Sequence, residues 1–208
     1  MLIPLQYLYN KYSLRIHSVL HIGAHECEEL HWYNQVGVPS TSVIWLEANV
    51  NLVNKNVSKG IPNVYQAVVS DCIETVDLHI TNNMQSSSIL ELETHKTEHP
   101  DVFVIDTQAV TTTTVKELFE TTRIFKSLNR FPNFVNLDIQ GAELKALKGF
   151  EHLIDNVDYV YTEVNVAYLY KNCALLHELD RFLEEKGFQR VELQMTPHGW
   201  GDAFYVRR

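Results

Sequence analysis

Within the first seventy residues, short apolar strands alternate with helical spacings, and this alternation constrains the fold more than any other feature of the chain. Ser18–Ile22 (SVLHI) reads as a buried strand broken by Gly23, and Cys27–Val36 as the helix that follows. Ser42–Leu46 (SVIWL) is a second strand. Leu52–Val57 is a short helix closed by Gly60 and Pro62, and Val64–Val69 is a third strand. Such an order means a parallel sheet with right-handed crossovers. Ahead of it, Leu5–Tyr12 carries apolar residues at helical spacing behind Pro4.

The middle of the chain breaks the pattern. Thr75–Thr81 alternates Val76, Leu78 and Ile80 with Asp77 and His79, and Val102–Val110 is again strand-like. The two read as an antiparallel excursion around the polar loop Asn82–Ser88. Val115–Phe125 is helical, Phe134–Ile139 a buried strand, Ala142–Phe150 a helix and Tyr159–Val164 a strand. Ala174–Lys186 is the strongest amphipathic helix, stopped by Gly187, and Val191–Met195 with Ala203–Val206 close the chain as a hairpin. The expected architecture is α/β: a Rossmann-like doubly wound sheet, mostly parallel, with an antiparallel C-terminal strand. One domain over residues 1–208 is expected, residues 1–17 being an N-terminal helical extension.

Composition narrows the function classes. Lys and Arg number 17 against 26 Asp and Glu, for a net charge of −9. An acidic chain with no Lys/Arg block is a poor nucleic-acid binder, so no nucleic-acid partner is expected. No apolar run approaches the ~18 residues of a membrane span. The opening Met1-Leu-Ile-Pro-Leu-Gln lacks the features of a secretion signal. Cys27, Cys72 and Cys173 form no C-x-x-C and suit free thiols in a reducing compartment. The expected location is cytoplasmic.

In a doubly wound sheet, ligands sit at the carboxyl ends of the strands near the point where strand order reverses. Polar clusters stand at five such ends: Gly23-Ala24-His25-Glu26, Glu47, Ser70-Asp71, Asp138 with Gln140-Gly141, and Glu163. Gly23 is either a close approach of backbone to a ligand or an ordinary tight turn. Glu47, 24 residues beyond Gly23, is placed to accept hydrogen bonds from ribose hydroxyls. Asp71 is equally an adenine contact or a turn former. Asp138 is the sharpest residue. Its carboxylate can orient a cation, bind a metal or take a hydroxyl proton, and it can also cap the helix beginning at Ala142.

As an ordered set these residues resemble the FkbM family of S-adenosylmethionine-dependent methyltransferases, from about Val19 to the C-terminus. The opening D-x-G-A-x-x-G-x is met by His21-Ile22-Gly23-Ala24-His25-Glu26-Cys27-Glu28, with His21 in place of the acid and Cys27 in place of the second glycine. Glu47-Ala48-Asn49 meets E-P/A-N. Ala67–Asp71 meets A-x-S-D with one residue of slack, and Ser86-Ser87-Ser88-Ile89 meets the serine-rich loop. Asp138–Gly149 meets D-x-x-G-A-E-x-x-x-L-K-G completely.

The resemblance implies S-adenosylmethionine as cofactor and methyl transfer to a hydroxyl, often of a sugar or natural product. It implies cofactor contacts at His21, Gly23, Ala24, His25, Glu26, Glu47, Ala48, Asn49, Ser70, Asp71, Ser88 and Asp138. Asp138 is the first candidate for a base, with Glu163 and Glu143 behind it. A divalent ion on Asp138 and Glu163 is the less favoured alternative. Gln140, Gly141, Asn165, Tyr168, His198 and Trp200 are acceptor-side candidates, with Tyr170 and the Asn82–Ser88 loop as walls. The expected partner is a small-molecule or glycan hydroxyl acceptor, and membership in a larger multidomain protein is an open expectation.

Three rival readings are weaker. A zinc hydrolase would draw on His21, His25, Glu26 and His31, yet these share no helical face. An NAD-dependent dehydrogenase lacks the second and third glycines of G-x-G-x-x-G. A non-catalytic nucleotide-binding module would follow from the changes at His21 and Cys27, against which stands the intact Asp138–Gly149 stretch.

Overall fold

The computed structural model describes residues 1–208. Nine strands form: β1 (Val19–Ile22), β2 (Val43–Glu47), β3 (Val64–Gln66), β4 (Thr75–Thr81), β5 (Val104–Thr111), β6 (Phe134–Leu137), β7 (Tyr159–Asn165), β8 (Phe188–Met195) and β9 (Trp200–Arg207). The helices are α1 (Leu5–Tyr12), α2 (Leu30–Gln35), α3 (Val50–Ser58), α4 (His95–Glu98), α5 (Val115–Thr121), α6 (Glu143–Lys148) and α7 (Leu176–Glu185). Seven strands make the main sheet in the order β3-β2-β1-β6-β7-β9-β8, and β4 pairs β5 in a separate two-stranded sheet. The first five are parallel. The last two form a hairpin whose β9 inserts antiparallel against β7.

Strand alternation builds both cores. Leu20, Ile22, Ile44, Leu46, Val135 and Leu137 face α5, α6 and α7, which contribute Leu118, Leu147 and Leu183. Val19, Val43, Trp45 and Phe134 face the opposite layer, where α1, α2 and α3 contribute Leu8, Tyr33 and Val53. Both faces are covered, as parallel sheets require. No helix is long and apolar enough to cross a membrane.

Several elements are shorter than their sequence pattern predicts, and for four of them the local structure shows why. Two left-handed residues, His25 at φ 42° and Cys27 at φ 58°, delay α2 until Leu30. Beyond β3, the backbone of Val68 and Ser70 pairs with Thr113 instead of β2. In α5, the Thr121 hydroxyl donates to the Glu117 carbonyl, a local alternative that helps end the helix before Phe125. Finally, α6 ends at Gly149, ahead of the left-handed Glu151 at φ 50°.

Candidate active site

From β1 the chain crosses to β2 on one side, while β6 lies on the other. The strand ends therefore diverge between β1 and β6, and a cavity of about 500 Å³ opens there. At its floor, Gly23 has φ +89°, and a Cβ on it would lie 1.8 Å from the Asp138 carbonyl oxygen. The glycine is required by the approach of the β1 and β6 ends to each other.

Glu47 closes one wall. Its Oε1 accepts the Asn49 backbone N–H at 2.8 Å and its Oε2 accepts that of His25 at 2.8 Å. Asn49 in turn caps α3 by accepting the Asn51 N–H. The carboxylate is thus fixed by two elements, and its remaining lone pairs serve the cavity it lines. Burial pushes its pKa up. Val68, Val69, Leu78 and Met84 supply an apolar wall beside it.

Asp138 follows β6, open to the cavity but enclosed by protein at short range. Gln140 holds it. The Gln140 amide donates to Asp138 Oδ1 at 2.7 Å and to Glu163 Oε2 at 2.8 Å. Its Oε1 accepts the Tyr170 hydroxyl at 2.6 Å, and its carbonyl accepts the Ser88 hydroxyl at 2.8 Å. Gln140 itself is left-handed at φ 58°. Strain of that kind costs about 1–3 kcal/mol and persists where surrounding bonds impose it. Burial and the Asp202 charge push the Asp138 carboxyl up. Burial and the Asp138 charge push Glu163 well above the usual carboxylate range.

Glu143 is not at the cavity. It is buried beneath the loop, where its Oε1 accepts the N–H groups of Ile139 at 3.0 Å and Gly141 at 3.1 Å. Its expected role as a base is corrected to that of a loop anchor. Burial raises its pKa to about 7. A carboxyl raised on folding binds its proton more tightly in the native state. Its stabilising contribution is full below the unfolded value near 4.5 and is lost as pH rises through about 7. Glu143→Gln keeps an acceptor for both N–H groups, so a melting-temperature series from pH 4 to 8 should fall less steeply for this variant than for the wild type.

Of the other expected residues, Gly23, His25, Ala48, Asn49, Ser88 and Trp200 line the cavity. Several do not, and these expectations are corrected. His21 lies in the aromatic layer under the sheet: Nδ1 is 3.0 Å from the Tyr33 hydroxyl, the ring is 4.8 Å from Trp45, and burial drives its pKa down to about 4. Ala24 is buried in the same layer. Glu26 is half-buried at the surface and paired with Lys55 and Lys59 at 2.6 and 2.7 Å. Ser70 is buried and donates to the exposed Asp71, because the chain turns toward Thr113 before either reaches the cavity. Gly141 packs on Cys173. The Asn165 side chain is fully buried, Tyr168 is exposed on the outside, and His198 pairs with Glu98 at the surface.

The sequence reading missed Glu28, Glu29, Asp202, His95 and His99, all of which line the cavity. Asp202 had a signal, being the one acid in the apolar run Gly201–Val206. His95 and His99 had another, the i, i+4 pair in HKTEH. Asp202 accepts hydrogen bonds from the Tyr161 hydroxyl and the Leu2 N–H. Six carboxylates line the cavity and no Lys or Arg does. Asp138 and Glu163 are bridged by an amide, and no group of three or more His, Cys, Asp or Glu side chains is arranged to hold a metal ion.

This donor set fits S-adenosylmethionine. The fixed Glu47 carboxylate suits a ribose, the apolar wall suits an adenine, and the acidic lining suits a sulfonium cation.

The family model described as "Methyltransferase FkbM domain" matches residues 21–190. No curated protein matches the chain. Among solved structures, magnesium protoporphyrin IX methyltransferase from Synechocystis PCC 6803, crystallised with bound S-adenosylmethionine, is similar at TM-score 0.50 and 10% identity, covering 98% of this chain and 76% of that one. A S-adenosylmethionine-dependent methyltransferase from Aquifex aeolicus is similar at TM-score 0.48 and 13% identity, covering 97% of this chain and 88% of that one. The likeness to the Synechocystis enzyme is one of fold.

Proposed function

This chain belongs to the FkbM family of methyltransferases, with S-adenosylmethionine as cofactor, and from that premise we propose that it methylates a hydroxyl of a sugar or other polyol. The observation that carries the acceptor assignment is the Gln140 bridge between Asp138 and Glu163 at the end of β6 and β7. A neutral hydroxyl is a weak nucleophile and needs a base aligned with it. Gln140 occupies Asp138 Oδ1 and leaves Oδ2 without a protein partner.

S-adenosylmethionine, when bound, supplies a methyl group on a sulfonium whose sulfur leaves as a neutral thioether. Asp138 Oδ2 takes the hydroxyl proton as the acceptor oxygen is methylated. Gln140 holds that carboxylate in place and shares its amide with Glu163. Glu47 would accept the ribose hydroxyls, and the Gly23 turn would lie along the cofactor's methionine end. The Asn83–Ile89 loop and Leu78 line the cavity, where they would help exclude water from bound cofactor. The absence of Lys and Arg from the lining argues against a polyanionic acceptor such as nucleic acid.

Calorimetry tests the cofactor site. Glu47→Gln turns one acceptor of a backbone N–H into a donor, and charge-assisted bonds are worth about 1.5–3 kcal/mol. The Kd for S-adenosylmethionine should rise about 10–100-fold, with no saturable binding of NAD⁺ by either protein. An unchanged Kd would remove Glu47 from the site. Transfer of labelled methyl to a sugar panel then tests the acceptor class, and exclusive labelling of a nitrogen or carbon acceptor would overturn it.

A further inference from the structure

Beyond Asp138 the cavity has two walls of different chemistry. On one, Glu163 and Asp202 stand directly opposite in the antiparallel register of β7 and β9. Like charges so placed repel. The groups that bond these carboxylates are neutral: the Gln140 amide, the Tyr161 hydroxyl and the Leu2 N–H. Trp200, the register partner of Asn165, adds an aromatic face to the same lining. These carboxylates are not arranged for a metal ion. The Met1 α-ammonium also lines the cavity, 3.8 Å from Glu29, and neither Glu163 nor Asp202 has a cationic partner in direct contact.

The other wall comes from α4. His95 is 5% exposed, and its Nδ1 is buried with no hydrogen-bond partner. Its ring packs 5.3 Å from Tyr170 and 4.8 Å from His99. Burial and the neighbouring His99 push the His95 imidazole below its usual range, so near neutral pH it is an uncharged partner. Backbone bonds from Glu93 and His95 to the Leu169 carbonyl hold α4 there. A buried unpartnered nitrogen on a residue that lines a cavity is a group that a polar ligand can satisfy.

Resting on the methyl-transfer reading above, we infer that the acceptor is an amine-bearing polyol of the amino-sugar kind. Its ammonium lies against Glu163 and Asp202, one hydroxyl meets His95 Nδ1, and another is presented to Asp138. The ammonium keeps its protons and so has no lone pair with which to attack the methyl group. The hydroxyl oxygen forms the new bond to carbon and gives its proton to Asp138.

The test uses protein loaded with S-adenosylhomocysteine and three matched probes: glucosamine, glucose and glucuronate. Glucosamine is expected to bind at least about tenfold tighter than glucose, with glucuronate weakest. Raising the salt concentration should shrink the glucosamine preference in the wild type, a readout that needs no variant. Glu163→Gln should remove most of that preference. His95→Phe should weaken glucosamine and glucose together, keeping their ratio. Each variant is compared at matched melting temperature, with Asp202→Asn replacing Glu163→Gln if the latter does not fold. Equal binding of glucosamine and glucose, tighter glucuronate, or no binding of any sugar would overturn the inference. Failure to bind S-adenosylhomocysteine would instead strike the methyl-transfer reading beneath it.

Discussion

Replacing Asp138 by asparagine is expected to lower kcat about 10²–10⁴-fold, the usual worth of a positioned general base. The two side chains have nearly the same shape, and the asparagine oxygen still accepts the Gln140 amide. What is lost is the Oδ2 that no protein group engages. The melting temperature should hold or rise near neutral pH, because Asp138 lies beside the carboxylates of Glu163 and Asp202 and the Asp202 charge pushes its carboxyl up. That opposite movement separates a lost base from a damaged fold. Single-turnover transfer of a labelled methyl group, beside a thermal scan, gives both readouts. A kcat within threefold of the wild type would move the base to Glu163.

The second large effect is structural. Gly23→Ala is expected to destabilise the protein by more than about 3 kcal/mol. For a chain of this size that lowers the melting temperature by roughly 6–12 °C. The added Cβ meets backbone, 1.8 Å from the Asp138 carbonyl oxygen and 2.7 Å from its carbon, and no rotamer relieves it. Separating the β1 and β6 ends would break the Asp138 N–H to Ile22 carbonyl bond and displace the base together with the turn. Gly37→Ala is the control. It has φ +83° but nothing within 4 Å of the new Cβ, so it should show only the backbone penalty of about 1 kcal/mol. Equal losses for the two variants would mean that the close approach is not what demands glycine at position 23.

The resemblance at Cys27 has a physical sequel. Where the family motif carries its second glycine, this chain keeps the left-handed backbone, at φ 58°, with a cysteine. The Cys27 side chain is buried in the layer under the sheet, and burial pushes its thiol up to about 12, so it is a packed thiol and not a nucleophile. The substituted acid behaves likewise. His21 has become part of a buried polar contact with Tyr33 and Asn136, which serves the core and leaves the cavity to its neighbours.

The succession of strands and helices along the chain, the antiparallel excursion and the closing hairpin were legible because their signals are local. Apolar runs bounded by Gly and Pro, period-2 alternation at Val76–Ile80 and the α7 stripe each depend on residues within about ten positions of one another. The motif residues Glu47 and Asp138 were legible for the same reason, since a polar residue at the end of an apolar strand has few places to go in a doubly wound sheet.

The sequence by itself determined which strand ends would carry polar groups. Only the tertiary structure decided which of those groups face one another. His21, Ala24 and Glu26 sit in the same motif as Gly23 and His25, yet β1 alternation turns His21 to the layer of Trp45, and Ala24 is buried in that layer. Glu26, between the left-handed His25 and Cys27, pairs with Lys55 of α3 and with Lys59, the residue that caps it. Asp202 and His95 come from the last strand and from the excursion, far along the chain from Asp138, and reach its cavity because β9 inserts beside β7 and α4 docks on the Leu169 carbonyl. Pairing of this kind is a long-range choice, made by the packing of whole elements, and local sequence carries no record of it.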